Sequence, residues 1–229
     1  MSDQSSASSR TPFEILQFRV AEAYWIWKVW KQLYMVGQGG IQEAEERMDV
    51  LNRFGVNFFR MLKGSLLQDV ILRVCKWTDP EATQVRGVER PNLSLANALA
   101  NAKSSLTPEQ ACKAEALLKK FKSVTPGLVQ RRHWLYAHDD FNVATGKEDV
   151  PKVSDTDVDI ALQCAVDLMT VLDPKSADVE FGYGETIAIG DGNSIVEAMR
   201  YAKRWVKHCR RYGRALDWDG VPGTDEKPL

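Results

Sequence analysis

At 229 residues the chain exceeds a single domain of about 150 residues by roughly half, so one large domain is expected and a second of full size is not. Lys and Arg total 30 against 31 Asp and Glu, a formal charge of −1, so nucleic acid cannot be held by bulk charge and any polyanion site must be a local patch. With 44% hydrophobic and 27% charged residues the mix is that of an ordered domain, which excludes wholesale disorder.

Residues 1–12 are polar and Ser-rich with no apolar run behind them, and they read as a disordered tail rather than a signal or an anchor. The most apolar stretch, Val20 to Val36, is interrupted by Glu22, Lys28, Lys31 and Gln32, so a soluble chain with no membrane partner is expected. Cys75, Cys112, Cys164 and Cys209 form no Cys-x-x-Cys pair. They are expected as buried thiols in the reducing cytoplasm.

From Phe13 to Tyr34, apolar residues at Leu16, Val20, Ala23, Trp27, Trp30 and Tyr34 repeat every 3.5 positions and demand a helix. Trp25, Val29, Leu33 and Val36 form a second stripe, so this helix is expected to meet neighbours on two sides, as core or as a dimer contact. Gly37, Gly39 and Gly40 end it. The block Ile41 to Asp79 keeps a helical beat through Leu51, Phe54, Phe58, Met61, Leu66, Val70, Val74 and Trp77, as one helix or two, with Gly55 and Gly64 the cheapest places to kink. Asp79-Pro80 closes it.

A polar stretch runs to Pro91, and Asn92-Leu93-Ser94-Leu95 then opens a short helix. Thr107-Pro108-Glu109-Gln110 supplies an N-cap, a first-turn proline and a capping-box Gln, and Thr125-Pro126 repeats the cap-plus-proline signal for a helix expected to reach about His138. Ser154 caps the next, with Ile160, Leu162, Val166, Met169 and Leu172 ahead of Pro174. Phe181 to Gly192 reads as a loop or small hairpin. The last helix, about Ser194 to Tyr212, would bury Ile195, Met199, Ala202 and Val206 and expose a basic run that is either a wet face or an RNA contact. Six or seven helices with almost no alternating pattern make an all-α, up-and-down helical bundle over residues 13–213, followed by a flexible tail, 214–229.

The densest polar cluster is Arg131-Arg132-His133-Trp134-Leu135-Tyr136-Ala137-His138-Asp139-Asp140, which holds two of the three histidines. Imidazole exchanges protons near neutral pH, and guanidinium matches phosphate oxygens, so the combination suits phosphodiester cleavage. The bland alternative is a helix end with hydrogen-bonded His138 and solvated or paired arginines. Gly190-Asp191-Gly192 lacks the third glycine of a dinucleotide fingerprint and reads as a loop. No metal ligands cluster, and neither a metal nor a cofactor is expected.

The run Arg132-His133-Trp134-Leu135-Tyr136-Ala137-His138-Asp139 resembles the HEPN superfamily, whose ribonucleases carry Arg, four to six residues, then His at a helix end; it is similar above all to the AbiU-type branch associated with phage abortive infection. Val70 to Pro80, Asn92 to Leu95 and Gly190 to Gly192 extend the resemblance over roughly residues 13–212. It implies an HEPN-like bundle that dimerises so that two motifs face one cleft, and a metal-independent ribonuclease of phage defence or a toxin system. In that reading His138 transfers protons, Arg132 stabilises the phosphorane, Asp139 orients the imidazole, and Arg131 and His133 bind substrate. The partners implied are RNA, a second copy and an antitoxin or regulatory protein. The rival reading is a non-catalytic RNA- or protein-binding module that retains the motif structurally.

Two positions depart from the pattern. Asp140 replaces the tyrosine that the best-known HEPN toxins carry two residues after the histidine, and His133 replaces the usual Asn or Asp. Geometry and family also favour different arginines: on a straight helix at about 100° per residue, Arg131 falls within about 20° of His138, and Arg132 falls about 120° away.

Overall fold

The computed structural model describes residues 10–35, 40–137, 145–149, 152–173 and 192–211. Among these, seven α-helices and one small hairpin follow in the order α1 (Pro12–Tyr34), α2 (Gly40–Trp77), β1 (Ala82–Val85), β2 (Val88–Pro91), α3 (Leu95–Ala102), α4 (Pro108–Val124), α5 (Pro126–Arg131), α6 (Asp155–Leu172) and α7 (Gly192–Arg211). The all-α class expected from the pattern is observed. No helix among the described residues is long and apolar enough to cross a membrane. The expected loop or hairpin at Phe181 to Gly192 and both tails lie almost wholly outside the described residues.

The described residues of 1–27 and 65–186 form one compact unit, and those of 28–64 and 187–229 another. In the first, α4 and α6 run along each other and α3 packs against both. The core is Leu16, Val20 and Trp27 of α1, Val70, Ile71 and Val74 of α2, Phe121 of α4, and Leu162, Leu168 and Met169 of α6, each buried. Trp27 shows how an indole enters such a core without an unmade hydrogen bond: its Nε1 donates to Asp159 Oδ1 at 2.7 Å, which ties α1 to α6. Arg73 of α2 donates to Glu22 of α1 and, at 2.9 Å, to Asp69 one turn back.

In the second unit Trp30 Nε1 donates to the Lys63 carbonyl at 3.1 Å and the Tyr34 hydroxyl to the Phe59 carbonyl at 2.9 Å. Burial pushes the Tyr34 phenol up to about 12. Lys203 of α7 pairs with Asp49 of α2 at 2.8 Å, and Arg47 donates to Asn193 at 3.1 Å.

Local signals place most helix ends. Thr107 accepts from the Gln110 N–H at 3.2 Å while the Gln110 side chain accepts from the Thr107 N–H at 2.9 Å, a complete capping box. Ser94 and Ser154 cap α3 and α6 through the N–H groups of Asn97 and Thr156. Thr125 differs: its hydroxyl turns back to the Lys122 carbonyl at 3.4 Å and caps nothing, so Pro126 alone starts α5.

Several expectations about faces change. Of the second stripe on α1, Leu33 is buried but Trp25 is 47% exposed, so the helix is not covered on both sides. On α2, Phe54, Phe58 and Met61 are exposed and Phe59 is buried instead. The kink at Gly55, where φ 171° and ψ 72° leave the helical region, rephases the turn that follows, so Phe59 rather than Phe58 turns inward; Gly64 stays helical, and Val70, Val74 and Trp77 are buried as expected. On α7, Val196 and Cys209 are buried and Ile195 is exposed. Cys112 is exposed, and Cys75, Cys164 and Cys209 are buried.

The polar stretch before Pro91 holds an antiparallel hairpin that the sequence reading lacks. Its turn, Arg86-Gly87, takes positive φ at both residues, 52° and 78°, the handedness that matches strand twist in a two-residue loop. Neither strand buries a face, so no apolar alternation marks it. It is held by two asparagines instead: Asn92, just after β2, donates through Nδ2 to the Pro80 carbonyl and Thr83 Oγ1, and Asn97 of α3 donates through Nδ2 to the Glu81 carbonyl.

Candidate active site

The cluster grows out of a reversal at Thr125. Thr125 is buried, Pro126 sets the first turn of α5 without needing an N–H partner, and Leu128, 1% exposed, pins the short helix to the core. At its end the Arg132 N–H is shared between the Leu128 and Val129 carbonyls. Beyond that point the backbone from Arg132 to Ala137 winds as a π-helix. Bonding five residues back fits an extra residue into each turn, a geometry concentrated at functional sites. It also removes the premise behind aligning Arg131 with position 138, because a turn wider than 3.6 residues does not conserve that face.

Arg131 and Arg132 are half-buried, His133 is exposed and Trp134 is half-buried. His138, Asp139 and Asp140 lie outside the described residues, so their distances to the arginines form no part of the site's geometry. Arg132 stands close enough to the last turn of α2 to act on Cys75. Burial pushes the Cys75 thiol up to about 11, with the Arg132 charge pulling it down and Asp79 adding to the rise. A thiol held that high stays protonated near neutral pH and is no nucleophile. Burial likewise raises Cys164.

His133 does not stand alone. It lines an open cleft of about 590 Å³ with Thr78, Lys122, Gln130 and Trp134, together with Thr125, Pro126 and Val129. Lys122, Gln130 and Thr78 were not singled out from the sequence, because the last turn of α4, the residue after α2 and the start of the motif are brought together only by folding. The legible signal was the Thr125-Pro126 reversal, which returns the chain past Lys122.

The basic last helix is less available than its composition suggests. Arg200 pairs with Glu197 at 2.5 Å and lies 3.6 Å from Glu46, and Lys203 is held by Asp49, whereas Arg204, Lys207 and Arg211 are exposed. His208 stacks on Trp205 with centroids 5.6 Å apart. The Gly192 N–H donates to Gln32 Oε1 at 3.0 Å, so it is not offered to an anion. Among the described residues no group of three or more His, Cys, Asp or Glu side chains gathers.

Comparison with known proteins agrees with the architecture. No curated protein and no solved structure matches the chain. A family model does: HEPN AbiU2 matches residues 14–173, more than two thirds of the sequence. That span takes in the end of α2, the π-helical segment and the Arg132 to His138 spacing, and stops at the end of α6. The chain therefore belongs to the AbiU2 family of HEPN proteins, a membership that points to a function related to abortive infection.

Proposed function

We propose that this protein is a metal-independent endoribonuclease of phage defence or a toxin system, acting as a homodimer in the cytoplasm. The observation that carries the reading is the coincidence, within the span matched by the family, of the π-helical stretch Arg132–Ala137 with this chain's Arg132-to-His138 spacing. In this mechanism a base takes the proton of an RNA 2′-hydroxyl, the oxygen attacks the adjacent phosphorus, and an acid protonates the departing 5′-oxygen. The products are a 2′,3′-cyclic phosphate and a 5′-hydroxyl. His138 serves as base or acid, Arg132 holds the charge that develops on the phosphorane, Asp139 orients the imidazole, and Arg131 and His133 hold the strand.

Incubating the purified chain with total RNA in excess EDTA tests the reading. Cleavage with cyclic phosphate ends is expected, and His138→Ala should lower it by about 10²-fold or more with an unchanged helical circular dichroism signal. A need for added divalent metal, or products with 5′-phosphates, would sink the mechanism. RNA bound and never cut would favour the rival, a non-catalytic binding module.

A further inference from the structure

We infer that the cleft between the end of α4 and the π-helical segment is a subsite for one unpaired nucleotide of an RNA strand, with its base against Trp134 and its phosphate on Lys122; the inference rests on the ribonuclease reading of the neighbouring motif. At about 590 Å³ the cleft lies within the range that small ligands occupy and has room for a single nucleoside phosphate. Its walls divide as such a ligand requires. Pro126, Val129 and the Trp134 indole offer apolar surface to a base, and Gln130, His133 and Lys122 offer polar groups to its edge, sugar and phosphate.

Among the described residues these polar groups are also uncommitted. Arg73, Arg47, Arg200, Lys203 and Lys103 are each paired with a carboxylate. Lys122, exposed at the end of α4, has no ion-pair partner among the described residues, and neither the His133 imidazole nor the Gln130 amide has a hydrogen-bond partner among them. A cation beside apolar surface, with no carboxylate among the described residues that line the cleft, suits a backbone phosphate next to a stacked base, the combination with which proteins hold single strands. His133 joins this cleft to the motif, since it follows Arg132 directly, so a nucleotide here would be a near neighbour of the scissile phosphate. Duplex RNA keeps its bases stacked inside and could not present one.

The test uses the full chain and a fluorescein-labelled single-stranded 12-mer of 2′-O-methyl RNA, which cannot be cleaved because the attacking hydroxyl is blocked. Anisotropy titrations across salt compare the parent with Lys122→Ala, Lys122→Arg, Trp134→Ala and Trp134→Phe. Cleavage of unmodified RNA is followed in parallel, with His138→Ala as control. Trp134→Ala should weaken binding about 5- to 100-fold and Trp134→Phe far less. Lys122→Ala should flatten the slope of log affinity against log salt by about 0.7, and Lys122→Arg should restore it.

Unchanged binding and slope in both alanine variants, with cleavage that still depends on His138, would overturn the subsite and leave the ribonuclease reading intact. Equal parental affinity for a duplex of the same sequence would overturn the unpaired base. Oligonucleotide binding that responds to Trp134 and Lys122, in a chain that cuts no RNA, would support the subsite and overturn the ribonuclease reading. No binding and no cleavage would overturn both. Because Lys122 is exposed, failure of Trp134→Ala to fold leaves Lys122→Ala and Lys122→Arg to decide the matter through the salt slope.

Discussion

Arg131 and Arg132 are adjacent in the chain but stand on either side of a change in backbone winding, so they cannot be exchanged for one another. Arg131 closes α5, whereas Arg132 begins the π-helical segment, within electrostatic reach of Cys75. On the proposed mechanism Arg132→Ala should abolish turnover, and Arg131→Ala should mainly weaken RNA binding and its salt dependence. Single-turnover rates and binding isotherms for the two variants separate these outcomes; the reverse pattern would assign the catalytic role to Arg131. Glu22 gives a residue-scale prediction for stability. Burial raises its carboxyl, but hydrogen bonds and charge from Arg73 and Arg19 outweigh that and hold it below the usual 4.5. A carboxylate with a depressed folded value stabilises the protein above the unfolded value and loses that contribution as pH falls through the folded one. Glu22→Gln should therefore lower the urea midpoint at pH 7, and its deficit should shrink as pH drops below about 4.5. A deficit independent of pH would mean that packing, not ionisation, is what Glu22 supplies.

Glycines separate what a helix wants from what its neighbours allow. Gly64 is exposed within α2, and a Cβ added there would meet nothing within 4 Å. Gly64→Ala should stabilise the protein by about 0.4–1 kcal/mol, read as a rise in urea midpoint at constant slope. Gly192 opens α7 against α1, where a Cβ would come within 3.0 Å of the Gln32 Cβ, the Leu33 Cγ and the Val29 carbonyl oxygen. Two of those atoms lie next to or in the backbone and have little room to yield. Gly192→Ala should destabilise by roughly 1–3 kcal/mol, through overpacking. Stabilisation by alanine at both sites would contradict this, since it would mean that the surroundings of Gly192 yield to the added methyl.

For the whole molecule, the proposed site is shared between two copies, and mixing inactive variants tests that directly. If Arg132 of one copy serves His138 of the other, combining Arg132→Ala with His138→Ala and allowing exchange should restore activity, because each mixed dimer carries one intact site. Light scattering at micromolar concentration should report twice the chain mass of 25.8 kDa. A monomeric mass, or mixtures as dead as their parents, would put the site within one chain. The ground for expecting a dimer contact on α1 has itself narrowed. Leu16, Val20, Trp27, Trp30 and Leu33 are buried within the chain itself, and Phe18 and Trp25 are the aromatic residues of α1 that stay exposed.

Features set by contacts within three or four residues were legible from the sequence alone. The capping box at Thr107, the caps at Ser94 and Ser154 and the close of α2 just before Asp79-Pro80 appear where the residues imply them, because each depends on side chains reaching their own backbone. The Arg132 to His138 spacing was legible for the same reason, being covalent. Tertiary structure decided the rest. Kinking at Gly55 exchanged Phe58 for Phe59 as the buried ring, and the hairpin stands on hydrogen bonds from Asn92 and Asn97 rather than on an apolar face. Lys122 and Thr78 meet His133 only when α2, α4 and the π-helical turn converge. A periodic pattern records which positions share a face of a regular helix; it carries no record of where the winding changes or of which distant group closes a cleft.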